Sequence, residues 1–183
     1  MYENLFEKTL DSKQVFEGKI VNIRLDSVEL VNGKTSFREV VEHVGGVVIL
    51  AVDENNRAYM VRQFRYPIGR AMLEVPAGKL EKGEDPLEGA VRELREETGL
   101  TAEQIIYFGG TYPSPGFCDE QLHIYLALGL TQGEACPDED EFLNLEVIDL
   151  DELAAMIMRG ELQDGKSINA IFMAREYLRN NQR

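Results

Sequence analysis

Five charged residues dominate the stretch Arg92-Glu93-Leu94-Arg95-Glu96-Glu97-Thr98-Gly99. Glu93 and Glu97 are four apart, so on a helix their carboxylates stack on one edge. Like charges at that spacing cost a helix about 0.2–0.5 kcal/mol. They also fall in its C-terminal half, where the dipole disfavours anions. Two local rules broken at one spot mark a place where function is stored. Paired carboxylates suit hard divalent cations, and Mg2+ is commonly held by one or two carboxylates plus substrate phosphates. The ordinary alternative is a solvated charged face with Arg92 and Arg95 as partners.

Further candidates lie outside this stretch. Val61-Arg62-Gln63-Phe64-Arg65 ends a strand with two cations in an acidic chain, and arginine suits bidentate phosphate contact. By strand alternation Arg62 and Arg65 take opposite faces, so one of them need face a site. Tyr112-Pro113-Ser114-Pro115-Gly116-Phe117-Cys118-Asp119-Glu120 is a rigid loop. Asp138-Glu139-Asp140-Glu141 is the densest acidic run, either a solvated loop or a source of a general base. His43 and His123 form no metal-spaced pair, and no His–Cys spacing makes Cys118 or Cys136 a nucleophile.

The elements that position these groups can be read in order. Asp85 is an N-cap, Pro86 fits the first helical position, and Gly99 fits the left-handed position after the last turn. The spacing therefore predicts a helix over 86–98. Leu87, Ala90, Val91 and Leu94 form its apolar stripe, with Glu97 roughly 70° and Glu93 roughly 110° to one side. Phe16 to Leu30 alternates in part, Asn32-Gly33 makes a hairpin turn, and Ser36 to Glu42 resumes the strand. Strands are expected over 44–52, 58–64, 71–75, 105–111, 122–128 and 142–148. Helices are expected over 151–159 and from Ser167, as N-cap, to 178. These last two are expected to pack on the core and carry no chemistry. The order implies an α+β or layered α/β/α domain with a mixed or antiparallel sheet.

The chain has 183 residues, 44% of them hydrophobic, and a formal net charge of −14. That suffices for one domain with a buried core. The charge argues against unaided contact with nucleic acid or an anionic membrane. The longest near-apolar run, Val44 to Val52, is far shorter than the roughly 20 residues of a membrane helix. Met1 to Leu10 is not expected to be a signal peptide. Two cysteines without a Cys-x-x-Cys fit a reducing compartment, so a cytoplasmic protein is expected.

The run Gly78, Glu84, Arg92, Glu93, Leu94, Glu96, Glu97, Gly99, Leu100 matches the Nudix box without departure. Its flanks, Glu74-Val75-Pro76-Ala77-Gly78 before it and Ser114-Pro115-Gly116 with Glu120 after it, resemble the ADP-ribose pyrophosphatase subfamily. The resemblance implies an α/β/α sandwich and Mg2+-dependent hydrolysis of ADP-ribose to AMP and ribose 5-phosphate, with Mn2+ as an alternative ion. It implies Glu93, Glu96, Glu97, Glu141 and the Ala77 carbonyl as metal ligands, Arg92 as their orienting partner and Glu139 as the base. The order of Glu139 and Glu141 stays open. Arg65, Lys79, Ser114, Pro115, Gly116 and Glu120 are its implied substrate contacts. Residues 1–42 are an implied dimerisation sheet and 43–183 the hydrolase domain, with Ile20, Arg38 and Glu39 reaching the adenine held by the partner copy. There is no Trp to clamp it. Other nucleoside diphosphate derivatives (a nucleotide sugar or dinucleoside polyphosphate) and a non-catalytic nucleotide-binding module are the alternatives.

Overall fold

A computed structural model describes residues 5–136 and 142–181. Its strands and helices divide between two compact units. The first comprises residues 1–45 and 112–121. It holds an antiparallel sheet of β1 (Lys8–Glu17), β2 (Val21–Glu29) and β3 (Thr35–His43), in that order. The partly alternating stretch from Phe16 to Leu30 is broken around Gly18: its first two residues end β1, which starts at Lys8, and the remainder holds β2. The hairpin between β2 and β3 turns at Asn32-Gly33 as expected. The Gly33 N–H donates to the Leu30 carbonyl, and the Lys34 N–H to the Asn32 side chain. Loop 112–121 joins β3: the Val41 N–H donates to the Phe117 carbonyl at 2.7 Å, and Asp119 N–H to the Val41 carbonyl.

The second unit, residues 46–111 and 122–183, is built on a seven-stranded mixed sheet. Its strands are β4 (Gly46–Val52), β5 (Arg57–Arg65), β6 (Arg70–Glu74), β7 (Ala77–Lys79), β8 (Leu100–Thr111), β9 (Leu122–Gln132) and β10 (Leu143–Asp149). The order is β10-β5-β4-β9-β8, with β6 on β5 and β7 on β4. β4 and β9 run parallel and the other pairs antiparallel.

Every residue of β4 is buried, because helices cover both faces. Val47, Ile49 and Ala51 pack with Ala90 and Leu94 of α1 (Pro86–Thr98). Val48, Leu50 and Val52 alternate to the other face, against α2 (Leu150–Met158) and α3 (Gly165–Asn181). This is the expected α/β/α sandwich.

Two local expectations are corrected. Ser167 is not the cap of α3. Asp164 is: its carboxylate accepts from the Ser167 N–H at 3.1 Å, and the Ser167 hydroxyl is turned to the Val75 N–H at 2.7 Å. The buried face of α1 is also rotated from the apolar stripe. Leu87 and Val91 are 45% and 44% exposed, while Gly89, Ala90, Glu93, Leu94, Glu97 and Thr98 are buried. The reason is that β7 passes beneath Glu93 and Glu97 and gives their carboxylates backbone to meet.

Candidate active site

α1 begins where the sequence places it. The Asp85 carboxylate accepts from the Leu87 and Glu88 N–H groups, and Pro86 takes the first position. Gly99 ends it with φ +72°. A Cβ there would lie 2.7 Å from the Ala135 nitrogen, so Gly99 also lets segment 133–136 cross the end of the helix. That crossing is bonded: Gly133 N–H donates to the Gly99 carbonyl and Cys136 N–H to the Glu96 carbonyl.

Arg92 gathers the acids. Its Nε and Nη2 fork onto Glu84 at 2.9 and 3.1 Å. Its Nη1 donates to Glu93 at 2.7 Å and to Glu96 at 2.9 Å. Nη2 also donates to the Lys79 carbonyl. The guanidinium pKa is raised, first by the hydrogen bond to Glu84, and Glu84 is lowered in return by the same bond. One planar guanidinium thus spans three carboxylates.

Glu93 and Glu97 are 7% and 3% exposed. Glu97 accepts from the Ala77 N–H at 3.1 Å. Glu93 lies over Gly78, where a Cβ would stand 1.8 Å from its Oε1. Only glycine leaves room for that carboxylate. Among the described residues no three His, Cys, Asp or Glu side chains close into a ligand cluster. Two all-oxygen donors on one helix edge nevertheless fit a hard divalent cation that completes its shell with water and phosphate. Carboxylates buried at this depth are otherwise costly.

Arg65 stands beside these acids and feels the charge of Glu97. Its Nε and Nη2 donate to Glu74 at 2.7 and 2.6 Å, and that hydrogen bonding is the first cause of its raised pKa. Arg62 instead pairs with Glu146 across β5 and β10. Ala77 and Lys79 lie on β7.

The remaining candidates fall in the first unit or outside the described residues. Ser114 accepts through its carbonyl from the Phe117 and Cys118 N–H groups, and Pro115 and Gly116 are exposed at the loop tip. Glu120 lies 3.5 Å from His43 Nδ1. Ile20 and Glu39 are exposed, and Arg38 pairs with Glu7 at 2.5 Å. Glu139 and Glu141 lie outside the described residues. The sequence assigns no site role to Glu74, which is 1% exposed, or to Asp164 and Lys166 around it. A lone acid between Leu73 and Val75 was the available signal.

Comparisons with known proteins give the arrangement a family. Residues 42–171 match the NUDIX domain, and residues 7–41 match the nucleoside diphosphate sugar hydrolase N-terminal domain. The chain is 46% identical to a "Methanol dehydrogenase activator" of Bacillus methanolicus over 90% of both chains. It is 43% identical to an "ADP-ribose pyrophosphatase" of Bacillus subtilis (strain 168) over 92% of both. A crystal structure of an "ADP compounds hydrolase" shares the fold with a TM-score of 0.85, at 20% identity, over 97% of each chain. The box that binds Arg92 to its acids therefore sits in a match spanning most of the chain, and the chain belongs to the Nudix hydrolase family.

Proposed function

We propose that the protein hydrolyses the pyrophosphate of ADP-ribose to AMP and ribose 5-phosphate. The observation that carries this reading is the 43% identity, over 92% of both chains, to a protein named for that activity. The site is consistent with it. Hydrolases of this family generally use a divalent metal, and we assign Mg2+, with Mn2+ as the alternative. Glu93 and Glu97 would hold it, assisted by Glu96, Glu141 and the Ala77 carbonyl. When bound, the cation supplies charge neutralisation at the diphosphate and Lewis acidity. Arg92 fixes the carboxylates, Arg65 receives a phosphate, and Glu139 takes the proton from the attacking water.

We further assign Lys79, Ser114, Pro115, Gly116 and Glu120 to the substrate, and Ile20, Arg38 and Glu39 to the adenine held by a second copy. The homodimer is supported by β1, exposed along its whole length with Leu10, Val15 and Phe16 uncovered. A cytoplasmic location is supported by two free cysteines.

The test is turnover of a substrate panel with Mg2+. ADP-ribose should give the highest kcat/KM, and Glu97→Gln should abolish it while the circular dichroism stays native. Marked preference for a nucleotide sugar or dinucleoside polyphosphate would replace the substrate. A second reading follows from the 46% relative: activation of a methanol dehydrogenase. Adding the chain to that dehydrogenase and finding no rise in rate would dismiss it.

A further inference from the structure

Lys166 is a basic residue near the start of α3, and its side chain is only 14% exposed. Its ammonium donates to the Glu74 carboxylate and to Asp164 Oδ2, the latter at 3.0 Å. Glu74 is the carboxylate that already takes both arms of Arg65. One buried anion is thus shared by two cations from opposite parts of the unit. Asp164 is fixed by capping α3, and Ser167 in the same turn holds the Val75 N–H, two residues before Ala77.

The exposures show which partner faces outward. The Glu74 side chain is 1% exposed and the Arg65 side chain 37%. Among the described residues, Arg65 Nη1 has no protein acceptor, since Nε and Nη2 take up Glu74. A guanidinium locked in a fork with one carboxylate is well placed but has its charge cancelled, which makes it a poor receptor for an anion. Lys166 changes that balance. Glu74, Arg65, Lys166 and Asp164 together sum to zero; without Lys166 they sum to one negative charge, beside Glu97, at the place where a diphosphate must approach.

We infer that Lys166 is a positioning residue for the reaction: from α3 it shares the Glu74 carboxylate, so that the field of Arg65, held by that same carboxylate, is less offset where the substrate's diphosphate approaches. The inference rests on the assignment of Arg65 and of pyrophosphate hydrolysis above. It gives the last helix a part in the chemistry.

The experiment measures KM and kcat for ADP-ribose with Mg2+ on the full-length chain and on Lys166→Gln, Lys166→Met and Lys166→Arg. A unit change in local charge predicts a KM raised roughly ten- to a hundredfold in Lys166→Gln and Lys166→Met, with kcat within about threefold. Lys166→Arg should stay near wild type. Lys166→Gln retains a hydrogen-bond donor to Glu74, so it keeps the test open if Lys166→Met does not fold. A wild-type KM in Lys166→Gln overturns the inference, and so does equal impairment of Lys166→Arg and Lys166→Gln. If the wild-type chain does not turn over ADP-ribose, the substrate assignment fails by itself. The same variants are then titrated with inorganic pyrophosphate and Mg2+ by calorimetry, where unchanged affinity in Lys166→Gln overturns the inference and weakened affinity upholds it.

Discussion

Gly78→Ala separates the seat of Glu93 from the stability of the fold. The backbone at Gly78 is not in the left-handed region, so alanine can adopt it without strain. The new Cβ would stand 1.8 Å from Glu93 Oε1, 2.0 Å from its Cδ and 2.5 Å from Oε2. All three atoms belong to the end of one side chain. The substitution is therefore relieved when Glu93 swings away, not when β7 moves. To reach ordinary contact at 3.4 Å the carboxylate must retreat by about 1.6 Å. That also breaks its 2.7 Å bond from Arg92. Misplacing a catalytic group by about 1 Å costs about a hundredfold in rate. Gly→Ala at a compatible site stabilises by about 0.4–1 kcal/mol through the unfolded chain. The expected result is AMP release from ADP-ribose down by about a hundredfold or more, weaker Mn2+ binding by calorimetry, and a melting temperature equal to or above wild type. Turnover within about threefold of wild type would refute the reasoning. So would a collapsed melting temperature, because the clash would then fall on backbone.

Three further outcomes follow from individual contacts. Arg92→Lys replaces a planar fork by a point donor that cannot span Glu84, Glu93 and Glu96 together, so kcat/KM should fall about tenfold or more, read by AMP release. Glu74 is opposed by burial, but hydrogen bonds from Arg65 and the charge of Lys166 outweigh it and hold its pKa below the ordinary 4.5. Its contribution to stability is then complete above pH 4.5 and is lost as pH falls through the lower folded value. Glu74→Gln should flatten the decline of urea-unfolding free energy below about pH 5, and an unaltered slope would count against the pairing. Asp85→Ala removes the cap of α1 and should cost about 1 kcal/mol, a fall of about 2–4 °C in melting temperature.

The helix over 86–98 was legible residue by residue, because its start and stop signals are local. An N-cap Asp, a Pro at the first position and a Gly at the end act through the nearest backbone groups. The buried run of β4 was legible for a similar reason: two covered faces leave no polar alternation. The buried face of α1 was not. Leu87 and Val91 read as core and are half exposed, while Glu93 and Glu97 read as edge and are buried. Hydrophobicity along a helix says nothing of a glycine strand arriving from ten or more residues upstream.

Sequence alone determined the family motif, the helix that carries it and the carboxylates it brings to one edge, since all depend on spacing within one segment. Only tertiary structure decided what those charges meet. It put Gly78 beneath Glu93, gave the Ala77 N–H to Glu97, and closed Arg65, Glu74 and Lys166 into one network across 92 positions from Glu74 to Lys166. The physical reason is that a charge's partner is set by distance in space. The strand crossings that bring β5, β6 and α3 together are fixed by burial of the whole sheet, not by any residue near the charges themselves.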